Sequence, residues 1–319
     1  MNCVTSKKFY AEHVPKGVPI FYQPFYLDVV TEGEWEATCL LENDKILAIM
    51  PYSLRHCKQA LIQQPAFTIY LGPFFPDHQR SNLALGKEME ILEALESSIK
   101  KHDYYNQNWH PSSRNWMPFY WKGYHQSTRY SYVISGPREM QHVREGYNQN
   151  VRRNLKRSGA IIWVEQTTHT NELFSVICKT FKRKGMQQPY NFQMFKELVR
   201  RCVEEQCCSI MLAKDADANI HAAMFLVWDD KWVYYMAGGV DDKYKTSGAV
   251  TLLFDKAIQF AMDTGRSFDF EGSMIRSVEK YFRSFGAVQQ EYFVLTKVNS
   301  GILRIRLALA RIHQVFSPF

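Results

Sequence analysis

The order of strand and helix patterns in the second half of the chain is the feature that most limits its fold. Residues 209–214 and 221–228 predict a hairpin, residues 233–238 a strand, residues 249–263 a helix and residues 267–271 a further strand. A chain in which strands and helices alternate in this way forms an α/β domain, with helices packed on a sheet. We therefore expect a mixed central sheet in this half.

The first half of the chain repeats this order of patterns. A hairpin around Asn43-Asp44 precedes a strand, a helix and two further strands, at residues 37–42, 45–54, 66–71, 85–99, 104–109 and 129–134. Ser135-Gly136-Pro137 then interrupts the pattern. Since 319 residues are enough for two domains of ordinary size, we expect two α/β domains in tandem, residues 1–136 and 137–319.

A basic helix is predicted directly after this break. An apolar stripe with helical spacing runs from Met140 to Leu155, and Gly159 is placed to end the helix. The other positions carry Arg152, Arg153, Lys156 and Arg157. Such a face is most often a solvated surface. Its functional alternative is capture of a substrate diphosphate or of tRNA, for which Arg152 and Arg153 are the candidates.

Three segments resemble the Fem peptidoglycan aminoacyltransferases. Residues 147–164, YNQNVRRNLKRSGAIIWV, are similar to the basic helix and strand that open the second domain of that family. Residues 268–286, FDFEGSMIRSVEKYFRSFG, resemble its D-F-x-G and F-K-x-x-F-G segments, and also related acetyltransferase-like domains of polysaccharide-associated bacterial proteins. Residues 65–73, PAFTIYLGP, resemble its strand ending in Gly-Pro.

The resemblance implies a fold and an activity. The fold is a tandem of acyl-CoA N-acyltransferase (GNAT-like) domains with mixed central sheets. The activity is the transfer of an acyl or aminoacyl group to an amine of a cell-envelope precursor, such as one for the peptidoglycan of the cell wall, or of a sugar. The acyl donor is left open between acyl-CoA and aminoacyl-tRNA, and no permanently bound cofactor is expected. The acceptor is expected to be a small molecule or a nucleotide-sugar-peptide.

Two motifs depart from the family pattern. The lysine of F-K-x-x-F-G is replaced by Phe282, which leaves Lys280 and Arg283 as the nearest candidate catalytic cations. The acyl-donor loop of acetyltransferases, Q/R-x-x-G-x-G/A, falls on Lys245, Ser247 and Gly248, with Val250 in place of the last small residue. Because Val250 is bulky, we expect coenzyme A to bind weakly.

Asp269 and Glu271 are the candidate catalytic carboxylates. They are two residues apart on a predicted strand and would share one face of it. Desolvating two carboxylates is costly without a partner. If the partner is an acceptor amine, the two carboxylates are catalytic. If the partner is Arg276 or Lys280, they form an internal salt bridge.

Three tyrosines flank the predicted cleft and are candidates for hydrogen bonds to a sugar or peptide: Tyr190, Tyr235 and Tyr244. Packing in the core or at the rim is the alternative for each of them.

A C-terminal amphipathic helix is predicted after the last strand, with arginines on its polar positions and an apolar stripe formed by Ile302, Ile305, Leu309, Ile312 and Phe316. Such a helix usually docks on its own domain or on a second subunit, and less often lies on an anionic membrane.

Composition excludes several classes of protein. The net charge of +7 permits an anionic partner but does not require one. The seven cysteines include no C-x-x-C pair and no zinc spacing, and no segment reads as a signal peptide or a membrane span, so we expect a metal-free protein in the cytoplasm. Two functions stay open: an N-acyltransferase, and a catalytically idle GNAT-like module that binds an envelope saccharide or a protein partner.

Overall fold

The computed structural model describes residues 1–76, 83–183 and 192–305, which form two compact units. The first unit comprises Met1–Thr128 and the chain from Tyr292 onward, and the second comprises Arg129–Glu291. The chain therefore enters the second unit shortly before Gly136-Pro137, where the sequence predicts a boundary, and returns to the first unit near its C-terminus.

The first unit contains two groups of paired strands. β1, β2 and β3 form an antiparallel sheet, β5 pairs with β6 in parallel, and β6 pairs with β13 in antiparallel fashion. The elements are β1 Asn2–Thr5, α1 Lys7–Glu12, α2 Pro24–Val30, β2 Trp35–Glu42, β3 Lys45–Ser53, β4 Arg55–His56, β5 Ala60–Gln63, α3 Leu85–Ser97, β6 Tyr104–Asn108 and α4 Met117–Trp121, with β7 His125–Ile134 and β13 Val288–Val298 divided between the units.

The predicted hairpin is confirmed, but the strand predicted at residues 66–71 is wrong. Asn43 and Asp44 have φ of 51° and 60°, the left-handed values that a two-residue turn between β2 and β3 needs. In the segment 66–71, Phe67 has a φ of 56°, which interrupts the extended backbone, and only Leu71 forms an isolated bridge, to Trp109.

The second unit is built on a mixed sheet, as expected. Its strands lie in the order β7-β12-β11-β10-β9-β8, and β11 and β12 are parallel whereas their neighbours pair in antiparallel fashion. The elements are α5 Met140–Glu145, α6 Gln149–Ser158, β8 Trp163–Thr167, α7 Thr170–Arg183, α8 Phe192–Glu204, β9 Cys208–Lys214, β10 Ile220–Trp228, β11 Trp232–Val240, α9 Ala249–Asp263, β12 Ser267–Asp269 and α10 Arg276–Arg283.

The single helix predicted between Met140 and Gly159 is two helices. Asn148 separates α5 from α6: its backbone is extended, with ψ of 167°, and its side chain accepts a hydrogen bond from the N–H of Val151 at 2.9 Å. An asparagine in this role starts a new helix. Tyr147 and Val151 both still lie in the hydrophobic core, so the apolar stripe bridges the break.

The core of the second unit forms around α9. Its residue Phe254 contacts the rings of Phe270, Phe282 and Phe285, with centroid distances of 5.2, 5.8 and 5.6 Å. Burying a phenylalanine side chain stabilises a fold by about 1.5–3 kcal/mol. This cluster therefore fixes α9 and α10 against the end of β12. None of the helices within the described ranges is long and apolar enough to cross a membrane.

Candidate functional site

An opening lies at the carboxyl ends of the parallel strands β11 and β12. Their pairing runs only from Trp232 and Ser267 to Tyr234 and Asp269, whereas β11 continues to Val240. On its other side β11 pairs with β10 along most of its length. Within the described residues, the edge of β11 beyond Tyr234 therefore has no strand beside it. Ligands of α/β sheets commonly bind where strands part in this way.

β11 is irregular beside this opening. Its register against β10 shifts so that Met236 is an extra residue between Tyr235 and Ala237, which is a β-bulge. Gly238 allows a close approach, because a Cβ there would lie 2.8 Å from the Tyr235 hydroxyl oxygen. The ring of Tyr235 packs on Phe254 at 4.9 Å. Tyr235 thus contributes to the core with its ring and reaches the β11 backbone with its hydroxyl.

Glu271 occupies a turn instead of the predicted strand. β12 ends at Asp269, and Glu271 and Gly272 both have a φ of 69°. A left-handed conformation costs a residue with a side chain about 1–2 kcal/mol. Gly272 is required here, since a Cβ would lie 2.2 Å from the carbonyl oxygen of Tyr130. Close packing on β7 therefore holds the backbone of Glu271 in this turn.

The two carboxyl groups have different surroundings. Asp269 is 2% exposed and accepts hydrogen bonds from Ser131 Oγ and, at 2.8 Å, from the backbone N–H of Glu271. Glu271 is half-buried and forms no ion pair with any described residue. Burial, and to a smaller extent the charge of Asp269, raises the pKa of Glu271 to about 8. A carboxyl group with this pKa gives up or accepts a proton near neutral pH.

The predicted cations are not paired with these carboxyl groups. Arg283 Nε donates to Glu279 Oε1 at 2.7 Å, and this interaction lowers the pKa of Glu279. Lys280 is exposed, and neither cation forms an ion pair with Glu271. Phe282, at the position of the family lysine, is 5% exposed and belongs to the core.

The predicted acyl-donor loop leads into the N-terminus of α9. Gly248 has a φ of 84°, and the first helical bond runs from the N–H of Leu252 to its carbonyl at 3.1 Å. Ser247 Oγ accepts from the N–H of Ala249 at 3.3 Å. No described residue accepts a hydrogen bond from the N–H groups of Gly248, Val250 and Thr251. These donors and the helix dipole can bind an anion.

Two neighbours shape this loop. A Cβ on Gly248 would lie 3.0 Å from the carbonyl oxygen of Asn154 in α6, so α6 packs closely against the loop. Arg157 donates a hydrogen bond to the carbonyl of Thr246, while Lys245 is exposed. The side chain of Val250 packs against the hydrophobic core. Because the Val250 side chain points to the core and not to the loop, it obstructs a coenzyme A pyrophosphate less than the sequence predicts.

The remaining predicted residues lie in separate places. Tyr244 stacks on His221, with ring centroids 3.8 Å apart and planes at 4°. Arg152 donates to the carbonyl of Tyr147 at 2.7 Å, whereas Arg153 donates to the side chain of Asn150 at 3.0 Å. Tyr190 lies outside the described residues, as does most of the predicted C-terminal amphipathic helix.

Sequence reasoning missed two contributors to the site. Ser131 holds Asp269 across a separation of 138 residues, and no local pattern identifies such a pair. Met236 forms the bulge in β11; the signal that could have found it is the pair Gly238-Gly239, because glycine within a strand often marks a bulge.

Comparisons with known proteins agree with this geometry. A family model described as an acetyltransferase (GNAT) domain matches residues 142–283. The crystal structure of FemX is similar, with a TM-score of 0.66 at 9% identity, over 92% of this chain and 97% of that one. A tandem GNAT protein from the clavulanic acid biosynthesis pathway has a TM-score of 0.53 at 9% identity, over 94% of this chain and 99% of that one.

A further similar structure is L-PGS from Bacillus licheniformis, with a TM-score of 0.54 at 12% identity over 90% of each chain. No curated protein matches the sequence significantly. At these identities the structural likeness establishes the fold. The chain thus has the fold of FemX and of tandem GNAT proteins, and its residues 142–283 match the family model of an acetyltransferase (GNAT) domain.

Proposed function

We propose that the opening between β11 and β12 is the active site of an N-acyltransferase, in which Glu271 accepts the proton of the acceptor amine. The observation that carries this proposal is the position of Glu271, a half-buried carboxyl in the turn that follows the parallel strand pair, where burial raises its pKa to about 8. A group with this pKa is ionised in roughly one molecule in ten at pH 7. The ionised fraction is the general base.

The reaction joins an amine to an activated acyl carbon. The amine nitrogen attacks the carbonyl carbon of a thioester or ester, the new C–N bond forms, and the bond to the sulfur or oxygen of the donor breaks. Glu271 takes the proton that the nitrogen loses, and the leaving sulfur or oxygen is protonated in turn. In this proposal the oxyanion accepts hydrogen bonds from backbone N–H groups along the unpaired edge of β11, at the bulge of Met236.

The N-terminus of α9 supports binding of a phosphorylated donor. The N–H groups of Gly248, Val250 and Thr251 and the helix dipole favour the phosphates of an acyl-CoA or of an aminoacyl-tRNA alike. Both donors carry phosphates, which the pantetheine arm separates from the thioester in acyl-CoA and the terminal ribose separates from the ester in aminoacyl-tRNA. The donor is therefore to be decided by assay.

For the acceptor, we propose an amine on a cell-envelope precursor or on a sugar. The support is the resemblance of residues 147–164 and 268–286 to Fem proteins and the likeness of the whole chain to FemX. In this proposal Tyr235 contacts the acceptor from the β11 side of the opening, whereas Tyr244, which stacks on His221 of β10, does not take part. Arg153, which is exposed and forms no ion pair with a described residue, is free to meet a diphosphate of the acceptor.

One observation favours a second candidate, the catalytically idle module. Phe282 lies in the core at the position of the family lysine, so no cation extends from that position to the opening. Such a module would bind an envelope saccharide or a protein partner without chemistry.

An acyl-transfer assay separates the two candidates. The full chain is incubated with labelled acetyl-CoA or with charged tRNA and a panel of aminosugars and peptidoglycan-precursor peptides, and amide formation is measured. Turnover with any donor and acceptor that Glu271→Gln reduces, but Glu205→Gln does not, supports the enzyme. Glu205 is a matched control because it is an exposed carboxylate of the same unit. Acceptor binding without turnover, unchanged in Glu271→Gln, supports the idle module.

A further inference from the structure

A cavity of about 750 Å³ lies in the second unit along the side of α9. It is open to solvent on one side and is lined by α5, α6, the start of β8 and the first half of α9. The proposed active site uses the N-terminus of α9, whereas this cavity is lined by Leu252, Asp255 and Lys256, one to two turns further along the helix. Its volume is typical of sites for small organic ligands.

Tyr147 supplies an unsatisfied donor to this cavity. Its side chain is 1% exposed and lines the cavity, and its hydroxyl has no hydrogen-bond partner of good geometry among the described residues. Burial, the charge of Asp255 and a hydrogen bond of poor geometry to the Asp255 carboxylate raise the pKa of Tyr147, so the hydroxyl keeps its proton. A buried hydroxyl without a partner costs about 1–3 kcal/mol. A ligand atom that accepts a hydrogen bond would recover this cost.

Two arginines lie at the same end of the cavity, and Asp255 balances the charge of Arg144 but not that of Arg152. Arg144 Nε and Nη2 donate to the carboxylate oxygens of Asp255 at 2.9 and 2.7 Å, which leaves its Nη1 unused by described residues. Arg152 donates to the carbonyl oxygens of Tyr147 and Glu145 at 2.7 and 3.0 Å. Carbonyl oxygens fix the guanidinium of Arg152 in place but do not neutralise its charge. This end of the cavity is therefore preorganised to receive an anion.

Part of the cavity wall is apolar. Trp163 is 46% exposed although it lines the cavity, and Leu155 and Ile162 continue the same wall. A large aromatic side chain exposed beside a cavity is suited to stack against a planar ligand. The wall and the cationic end together fit a molecule with an apolar body and an acidic head.

We infer that this cavity is a binding site for a small amphipathic anion, a carboxylate or phosphate attached to an aromatic or aliphatic body. The head accepts hydrogen bonds from the Tyr147 hydroxyl and from the unused nitrogens of Arg144 and Arg152. The body packs on Trp163, Leu155 and Ile162. The site is independent of the proposed acyl transfer, because none of its groups belongs to the opening at β11 and β12.

The probe for a first test is 8-anilinonaphthalene-1-sulfonate, an aromatic anion whose fluorescence rises in apolar surroundings. Its neutral analogue N-phenyl-1-naphthylamine has the same body without the acidic head. We expect the full chain to bind the anion at least about tenfold more tightly than the analogue, the usual worth of a charged hydrogen bond. Equal affinity for the two probes would overturn the inference.

Variants locate the binding. Arg152→Gln is expected to weaken the anion about tenfold or more, whereas Lys156→Gln, which removes a charge from the same helix outside the cavity, should leave the affinity unchanged. Equal effects of the two variants would show non-specific attraction to a basic surface and contradict the site.

Tyr147→Phe provides a readout that a purely structural role would not give. Because the hydroxyl is unsatisfied, its removal should leave the melting temperature unchanged or raise it while weakening the anion several-fold. A lower melting temperature with unchanged affinity would contradict the inference.

Displacement of the fluorescent anion by phenyl phosphate or by phenylacetate distinguishes a phosphate head from a carboxylate head. Failure of both compounds to displace the fluorescent anion would also contradict the site.

Discussion

The backbone N–H of Glu271 donates to the Asp269 carboxylate at 2.8 Å, which ties the two acidic residues together at the end of β12. The contact does not neutralise either charge. Burial raises the pKa of Glu271, and the charge of Asp269 raises it further. The pair therefore divides its roles: Asp269 shapes the turn, and Glu271 titrates near neutral pH.

Replacing Glu271 with glutamine should separate catalysis from stability. Glutamine keeps the size of the side chain but cannot take a proton, so turnover should fall by about 10²–10⁴-fold. The melting temperature should stay the same or rise, because a half-buried carboxyl that lacks an ion pair is removed. Steady-state kinetics and a melting curve on the same preparation test this. A large loss of stability with unchanged turnover would make Glu271 part of the scaffold.

Stability should fall as the pH rises through the titration of Glu271. Its pKa is raised in the folded state, to about 8, above the ordinary value in the unfolded chain. Between the unfolded and the folded pKa of Glu271, the folded state binds more protons than the unfolded state. The contribution of Glu271 to stability is therefore complete below the unfolded pKa and is lost as the pH rises to about 8. Urea denaturation between pH 5 and 8.5 should show a slope that is smaller in Glu271→Gln. Identical slopes would contradict the assignment.

Turnover should follow the opposite trend with pH. The base must be ionised to accept a proton, so the rate of the chemical step should rise with an apparent pKa near 8. A flat profile from pH 6 to 9, measured at saturating substrates, would assign the proton transfer to another group.

Replacing Gly248 with alanine should weaken donor binding. The φ of 84° and the 3.0 Å approach of a Cβ to the Asn154 carbonyl oxygen oppose any side chain at this position. The start of α9 must shift, which moves the N–H groups proposed to bind phosphate. Gly123→Ala is the matched control, since Gly123 has a φ of 83° and open space around it. Calorimetry with acetyl-CoA should show a loss for Gly248→Ala alone; equal affinities would argue against this loop as the donor site.

Replacing Arg144 should lower the stability of the protein, because it leaves the buried Asp255 carboxylate without its ion-pair partner. The Asp255 side chain is 5% exposed and that of Arg144 is 43% exposed. Because water reaches the arginine, Arg144→Gln should lower the free energy of unfolding by about 2–3 kcal/mol, less than the loss for a fully buried pair. Adding Asp255→Asn should recover most of that loss in urea denaturation. If the double variant were no more stable than Arg144→Gln, the pair would not be the source of the effect.

The sequence by itself determined most of the elements of the second unit and the α/β nature of the fold. Period-two and helical patterns located the hairpin around Asn43-Asp44 and the helix Ala249–Asp263, since both depend on residues close together in the chain. The motif at residues 268–286 indicated a GNAT-like fold for the same reason: its spacing is local. The sequence also found Asp269 and Glu271, but described them as equivalent residues on one strand.

Tertiary structure decided what those residues can do. The pKa of Glu271 depends on loss of water and on the charge of Asp269, and the turn that holds it depends on contact between Gly272 and the backbone of Tyr130. The same limit applies to the ion pair between Arg144 and Asp255, which are 111 residues apart. Burial and close approach across such separations depend on how the whole domain packs, and no pattern within one segment of sequence carries that information.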